Sequence, residues 1–242
     1  MKLWLHQLAE LTQICLESVC PLCGRSAAAV LCPNCQQQLQ RARLPAPDQL
    51  WQPPLPIFAW GQYGGSLKRA LTLLKYDGQI QLAKPLGQAL AQAWLASSRS
   101  VQPTRRLAVV PIPMHLEKQR QRGFNQAELI ARAFCQQTGL PLVQGLSRQR
   151  QTTPQFGLSA TERSENLAEA FALGAGLSHR STQRPAVLLL DDIYTTGATA
   201  LAAAQTLRRH QISVCGILAV AKAGDDSEPR LEPKLEPKLK KA

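Results

Sequence analysis

The chain has 242 residues, 45% of them hydrophobic, and a formal net charge of +12, which is typical of a globular protein with one substantial core and a small additional module. No apolar run approaches the roughly 18 residues that a membrane-spanning helix needs. His6, Glu10 and Glu17 interrupt the N-terminal apolar stretch, which favours an amphipathic helix over a signal peptide. These features exclude a membrane-spanning protein and predict a cytoplasmic one.

Charge is concentrated in the middle of the chain. Residues 99–163 contain ten Arg or Lys and three acids. A basic segment of this kind suits polyanions such as nucleic acid or pyrophosphate, although soluble basic proteins without such a partner also exist.

Four of the seven cysteines follow the spacing C-x2-C-x8-C-x2-C, at Cys20, Cys23, Cys32 and Cys35. Each CxxC turn places two thiolates on one side of the backbone, and two such turns complete a tetrahedral sulfur site that selects zinc. A redox CxxC would occur once, near a βαβ pattern. The duplication therefore predicts structural zinc, with Cys135 and Cys215 as core thiols.

Strand and helix patterns alternate along the rest of the chain, which predicts an α/β fold with a parallel sheet flanked by helices. The predicted domains are an N-terminal helix and zinc module (1–50), a Pro-rich linker (51–56), a larger domain (57–224) and a disordered tail (225–242). Within the larger domain we expect strands at 56–63, 107–110, 141–144, 186–190 and 212–220. We expect a helix capped by Ser66 and further helices at 80–97, at 126–138 behind an Asn125–Glu128 capping box, and at 198–209. A basic loop is predicted at 114–124, and a polar lid at 145–173 with a second capping box at Ser159–Glu162.

The stretch AVLLLDDIYTTGAT, residues 186–199, joins a buried strand to a helix through a polar turn. Asp191 and Asp192 follow the apolar run directly, and Gly197 lets a ligand approach the backbone. Hydroxyls and backbone N–H groups at the helix start favour an anion, while paired carboxylates can accept from a diol or hold a divalent cation. There is no P-loop and no G-x-G-x-x-G pattern. The stretch predicts a ribose 5-phosphate site, against the alternative of an ordinary strand that ends in a polar turn.

This stretch resembles the phosphoribosyl-pyrophosphate (PRPP) motif of type I phosphoribosyltransferases. Further segments, taken in order, resemble one branch of that superfamily, the ComF family of late-competence and GntX-type DNA-utilisation proteins. They are CPLCG…CPNC (20–35), LLKYDG (73–78), VVPIPMH…RQRGFNQAELIA (109–131) and SRQRQTTPQFGLSATERSENLAEAF (147–171). The resemblance implies a type I phosphoribosyltransferase-like sheet with a small zinc-ribbon-like module, and a role in natural transformation or in the use of external DNA.

The resemblance also implies roles for individual residues. Asp191 and Asp192 would serve as the catalytic pair on the ribose hydroxyls, with Mg²⁺ held by the ligand's oxygens. Residues 110–114 would form the pyrophosphate loop. The PRPP or phosphate site would comprise Tyr194, Thr195, Thr196, Gly197, Ala198, Thr199 and Lys75. Candidates for contact with nucleic acid or pyrophosphate are Arg120, Arg122, Arg148, Arg150 and Arg163.

One departure weakens the purine-salvage interpretation: Thr195 stands where purine transferases carry a third acid. Three functions remain open. They are a DNA-uptake or DNA-utilisation protein that contacts single-stranded DNA and works with competence or DNA-translocation proteins, an active Mg²⁺-dependent phosphoribosyltransferase, and a PRPP-sensing adaptor for protein partners.

Overall fold

The computed structural model describes residues 18–98, 106–149, 170–178 and 184–224. In chain order its elements are β1 (Ser18–Val19), β2 (Ser26–Ala27), α1 (Pro33–Gln40), β3 (Ile57–Gln62), α2 (Gly65–Tyr76), a 3₁₀ turn (Ile80–Leu82), α3 (Ala83–Leu95), β4 (Leu107–Pro111), α4 (Leu116–Arg122), α5 (Gln126–Thr138), β5 (Leu146–Arg148), β6 (Phe171–Leu173), α6 (Ala175–Ser178), β7 (Ala186–Tyr194), α7 (Ala198–Arg209) and β8 (Val214–Lys222). The predicted N-terminal helix, the middle of the predicted lid with its capping box, and the predicted tail lie outside the described residues.

Four parallel strands form the central sheet in the order β3-β8-β7-β4. Alternate residues of β7 enter two different cores, because successive side chains of a strand point to opposite faces. Leu188 and Leu190 pack with residues of α2, α3 and α5, whereas Val187 and Leu189 pack with residues of α7. The α/β class, with a parallel sheet covered by helices on both faces, is confirmed.

The cysteine-containing module packs against the larger domain. Its buried residues, among them Cys20 and Leu39, belong to the same hydrophobic cluster as Leu67 and Ala70 of α2. The Ser66 hydroxyl donates to the carbonyl oxygen of Gln38 at 2.8 Å. The prediction that Ser66 caps α2 is therefore wrong: the N-cap is Gly64, without a side-chain bond, and Ser66 ties the helix to the module.

The Pro-rich segment 51–56 also lies against the sheet domain. The Trp51 ring packs 5.4 Å from that of Trp94 between centroids. The Pro56 carbonyl accepts from the backbone N–H of Ile217 at 2.8 Å, and the Arg208 guanidinium donates to the Pro54 carbonyl at 3.1 Å. These contacts hold the segment in place.

Three local expectations need correction. The predicted basic loop at 114–124 contains helix α4, capped by the His115 side chain and ended by Gly123 in the left-handed region. Residues 141–144 form a single bridge to β4 in place of a strand. The ends of the predicted lid form an antiparallel hairpin, β5 with β6, which the sequence did not indicate.

The carboxyl ends of the strands finish at one edge of the sheet, as predicted. Pro111 of β4 lies in register with Leu190 of β7. On the other side of β7, the backbone N–H of Ala223 donates to the Tyr194 carbonyl at 2.9 Å, and that of Tyr63 donates to the Lys222 carbonyl at 2.8 Å. In parallel α/β sheets this edge is where ligands bind.

Candidate functional site

The two neighbouring acids, Asp191 and Asp192, belong to strand β7 itself. The prediction ended this strand at Leu190, but it continues to Tyr194. Asp191 lies in register with Ala219 of β8. The Asp191 carboxylate accepts from the backbone N–H of Asp192 at 2.8 Å. Both acids are therefore fixed by the sheet and do not depend on a loop conformation.

Lys75, in the last turn of α2, forms an ion pair with Asp192. The two side chains are 17% and 6% exposed, respectively, so the pair is largely removed from water. Leu71 and Leu74 hold this turn because both are fully buried. The structure thus places Lys75 at the carboxylates, whereas the resemblance implied a role for it at the phosphate or pyrophosphate of the ligand.

Burial raises the pKa of Asp191 well above its ordinary value, and the neighbouring Asp192 charge raises it further. The hydrogen bond from the Asp192 backbone N–H and the charge of Lys75 lower the pKa of Asp191. Two carboxylates that share a buried place repel one another. The pair is accordingly suited to a ligand that brings hydroxyl donors or a divalent cation.

The predicted phosphate turn follows β7 directly and leads into α7. Gly197 is the N-cap, with φ 76° and ψ 0°, a left-handed conformation that favours glycine. A Cβ at this position would lie 2.7 Å from Cζ of the Tyr194 ring. The Thr196 hydroxyl accepts from the backbone N–H of Ala198 at 3.4 Å. Thr195 and Thr196 are exposed and Thr199 is half-buried, so hydroxyl and N–H donors surround the helix start.

The loop after β4 lies beside the carboxylates because two hydrogen bonds hold it. The backbone N–H of Ile112 donates to the Leu190 carbonyl at 2.9 Å. The buried Asn125 amide donates to the Ile112 carbonyl at 3.2 Å and accepts from the backbone N–H of Ala127 at 3.1 Å. Sequence reasoning recognised Asn125 only as a helix cap; nothing local indicated its second role. Glu128, expected to complete the capping box, accepts from Arg132.

Arg148 approaches the carboxylates from the hairpin. Its guanidinium lies 5.3 Å from the centroid of the Phe171 ring on β6. Burial lowers the pKa of Arg148, while the Asp191 charge raises it. The structure therefore brings Arg148 into the electrostatic environment of Asp191. Arg150 and Arg163 lie outside the described residues.

Arg120 and Arg122 lie on α4, outside the immediate surroundings of the carboxylates. Arg120 is exposed. The Arg122 guanidinium lies 5.3 Å from the centroid of the Tyr76 ring, next to Lys75 in the chain. These cations form a rim beside the site.

The cysteine module fits a zinc ion. The four sulfurs of Cys20, Cys23, Cys32 and Cys35 lie within 4.8 Å of one another, and those of Cys23 and Cys32 are 3.6 Å apart. A tetrahedral zinc site with bonds of about 2.3 Å separates its sulfurs by about 3.8 Å. The cluster can therefore hold a metal such as zinc.

The thiols of Cys20 and Cys35 differ in their pKa values. Burial opposes ionisation of Cys20, but backbone hydrogen bonds at Cys32, Leu22 and Cys23 lower its pKa to about 7. Burial and hydrogen bonds with the neighbouring thiols raise the pKa of Cys35 to about 12. A divalent cation would allow all four to bind as thiolates.

Elsewhere in the described ranges no group of three or more His, Cys, Asp or Glu side chains lies this close together. The Asp191–Asp192 pair offers two carboxylates, and one of them is engaged by Lys75. A Mg²⁺ ion here would take most of its ligands from a bound molecule.

A groove of about 600 Å³ adjoins the phosphate turn. Its walls are residues 50–57 without Trp51 and Pro56, Tyr194 at the end of β7, the turn residues Thr196 and Gly197, and the first two turns of α7. Most of these side chains are apolar.

Comparison with known proteins was made at the levels of family model, sequence and structure. No family model matches the chain. It is 27% identical over 209 residues to competence protein F of Haemophilus influenzae, covering 84% of this chain and 85% of the relative. It is 29% identical over 197 residues to the DNA utilization protein YhgH of Salmonella typhimurium (79% and 85% covered), and 27% identical over 190 residues to competence protein ComFC of Bacillus subtilis (78% and 71%).

Similar solved structures include adenine phosphoribosyltransferases. The enzyme of Leishmania donovani gives a TM-score of 0.37 at 18% identity, covering 78% of this chain and 67% of the other. That of Leishmania tarentolae gives 0.36 at 15% identity, covering 78% and 86%. In the part of the chain that the structure describes, no helix is long and apolar enough to cross a membrane. These relatives confirm the resemblance predicted from the sequence: they are proteins named for competence and for DNA utilisation, similar to this chain over about four fifths of its length.

Proposed function

We propose that this protein binds PRPP or a related ribose 5-phosphate, and that it acts in the cytoplasm in the uptake or utilisation of external DNA, in contact with single-stranded DNA. The relatives named for competence and DNA utilisation support the biological role. The observation that carries the ligand is the position of Asp191 and Asp192, at the carboxyl end of a parallel strand and directly before the turn that opens α7.

The proposed ligand matches the site group by group. A ribose diol donates to the two carboxylates, and the 5-phosphate takes the N–H and hydroxyl donors of residues 195–199. The cations Lys75 and Arg148 lie where they can offset the charge of a pyrophosphate. A carboxylate of the Asp191–Asp192 pair would help to hold Mg²⁺ together with the ligand, and the ion would supply positive charge that offsets the charge developing on the pyrophosphate.

Lys75 has to respond when such a ligand binds. In the structure its ammonium group forms an ion pair with the Asp192 carboxylate. A ribose hydroxyl or a metal ion that reaches this carboxylate therefore shares it with Lys75 or displaces the ammonium group. A displaced ammonium group can move to the pyrophosphate, which brings its own negative charge. The exchange keeps Lys75 paired throughout.

The test is ligand-dependent thermal stability. PRPP with Mg²⁺ should raise the Tm of the wild-type protein, since a ligand at 100 times its Kd stabilises the folded state by about 2.7 kcal/mol. The double variant Asp191→Asn/Asp192→Asn should lose this increment, whatever its own Tm. Glu128→Gln, which neutralises an acid on the outer side of α5, should keep it. An equal increment in the wild type and the double variant would refute the site.

Two further measurements separate the functional alternatives. Release of pyrophosphate from PRPP in the presence of a base would identify a phosphoribosyltransferase. If no base in a panel causes release of pyrophosphate while PRPP still raises Tm, the protein binds PRPP without turning it over. The DNA contact is tested by titrating a labelled oligonucleotide at several salt concentrations, because binding through phosphates weakens as salt rises.

A further inference from the structure

An exposed aromatic side chain and a guanidinium meet at the rim of the site. Tyr76 ends helix α2 and is 74% exposed. The Arg122 guanidinium lies 5.3 Å from the centroid of its ring, within the range of a cation–π contact. A large aromatic ring this exposed contributes little to the core, so burial does not explain its position.

The Arg122 side chain is held in place from a second direction. It donates to the Gln126 side-chain oxygen at 2.7 Å, at the first turn of α5. A long Arg side chain is normally mobile at a surface, and ordering it costs rotamer entropy. Here the hydrogen bond and the ring contact together fix the plane of the guanidinium beside the ring. The pair is thus a preorganised surface feature.

Helix α4 supplies a basic face next to this pair. It spans seven residues, none of them buried. Lys118 and Arg122 lie four residues apart and share this face, whereas Arg120 projects from the opposite side of the helix. Caps at both ends, from His115 and Gly123, hold the helix without an apolar face. A short helix with no buried residue gains little from packing, so an exposed cation such as Lys118 is available to an external partner.

We propose that Tyr76 and Arg122 form a base-stacking platform for single-stranded nucleic acid, with the phosphates of the strand lying along Lys118, one helical turn from Arg122 on the same face of α4. The proposal rests on the DNA contact of the proposed function and names the surface that makes it. Aromatic rings and Arg planes stack on any base, and a neighbouring basic surface tracks the backbone. An acidic peptide would use the same cations but would gain nothing from the aromatic face, which is why the observations favour nucleic acid.

The test is fluorescence anisotropy of a labelled oligothymidylate titrated with the whole protein at several salt concentrations. Tyr76→Ala should weaken binding roughly tenfold, the loss of one stacked base. Its slope of log affinity against log salt should not change, because the ring contacts no phosphate. Tyr76→Phe should bind like the wild type, since the ring is kept. Tyr76→Leu, which keeps an apolar side chain without a π face, should behave like Tyr76→Ala.

The cations give a complementary signature. Lys118→Gln should reduce the salt slope by about 0.7, the value for one phosphate contact on a single strand. Lys84→Gln, which removes one exposed charge from α3, is the matched control and should leave affinity and slope unchanged. Tyr76 is exposed, so all its variants should keep the wild-type Tm, which excludes unfolding as the cause of lost binding.

The outcomes distinguish this proposal from the function on which it rests. If the wild-type protein does not bind the oligonucleotide at all, the proposed DNA contact fails and the platform with it. If the wild type binds and Tyr76→Ala and Tyr76→Leu bind equally well, the contact stands but the platform is refuted. The platform would also be refuted if a polyglutamate peptide competed with the oligonucleotide and bound Tyr76→Ala with the same affinity as the wild type.

Discussion

Replacing Lys75 by methionine tests the electrostatics of the carboxylate site directly. Methionine keeps the length of the side chain and removes its charge. Lys75 pairs with Asp192, and the two side chains are 17% and 6% exposed. Removing one partner of a buried ion pair costs about 3–5 kcal/mol, because the other charge is left without compensation. The partial exposure of Lys75 places the expected cost near the lower end, at about 3 kcal/mol.

This cost translates into a measurable loss of thermal stability. In a domain of this size each kcal/mol shifts Tm by about 2–4 °C. Lys75→Met should therefore lower Tm by about 6–12 °C at neutral pH, measured by circular dichroism. Lys84→Met removes an exposed lysine and should change the free energy of unfolding by less than about 0.5 kcal/mol.

The loss should also depend on pH in a defined direction. The folded-state pKa of Asp191 lies above its ordinary value, so between the two values the folded protein binds more protons and its stability falls as pH rises. Lys75 lowers the pKa of Asp191. Its removal therefore extends to higher pH the range over which stability depends on protonation of Asp191. Lys75→Met should regain part of the lost stability as pH falls from neutral toward the ordinary pKa of an aspartate, because the folded protein takes up the Asp191 proton at a higher pH than the unfolded chain does.

A double-mutant cycle decides whether the ion pair is the cause. Asp192→Asn removes the charge that Lys75 compensates, so Lys75→Met should cost less in that background than in the wild type. Equal costs in the two backgrounds, or an unchanged Tm of Lys75→Met at every pH, would refute the electrostatic account of the site.

Two further predictions concern the parts that support the site. The purified protein should contain one zinc ion per chain by elemental analysis. The Cys23→Ser variant should lose the zinc ion and have a lower Tm. The Cys135→Ser variant should keep the zinc ion, because Cys135 lies outside the cluster. Asn125→Ala should destabilise the protein by about 2 kcal/mol in a denaturant titration, because it leaves the Ile112 carbonyl without the buried amide donor; a change below about 0.5 kcal/mol would show that the loop after β4 does not need this bond.

The features that the sequence predicted well are those encoded within a few residues. The spacing of Cys20 to Cys35 predicts four neighbouring thiols that could hold a metal, because two tight turns bring them together. The apolar run before Asp191 and the residues after Gly197 define a strand and a helix. The extension of β7 through the diacid was missed because Asp is disfavoured in strands, whereas register with β8 compensates for it here.

The features that were missed depend on contacts between distant segments. Nothing near Ser66 indicates that its hydroxyl reaches Gln38 instead of its own helix. The hairpin that places Arg148 near Asp191 pairs two three-residue strands across a long polar segment, too short for an alternating pattern to be recognised. Helix α4 was taken for a loop because it has no apolar face, and the hydrophobic period is the main signal for a helix.

The last turn of α2 connects the two proposed sites. Lys75 points to Asp192 and Tyr76, the next residue, lies against Arg122. A ligand that takes over the Asp192 carboxylate must share or displace Lys75, and so it acts on the same helical turn that presents the aromatic ring. Leu71 and Leu74 anchor this turn in the core, so a change at Lys75 has to be absorbed within the turn. Because coupling free energies are reciprocal, any effect of a ribose phosphate on the affinity for single-stranded DNA must equal the effect of DNA on the affinity for the ribose phosphate.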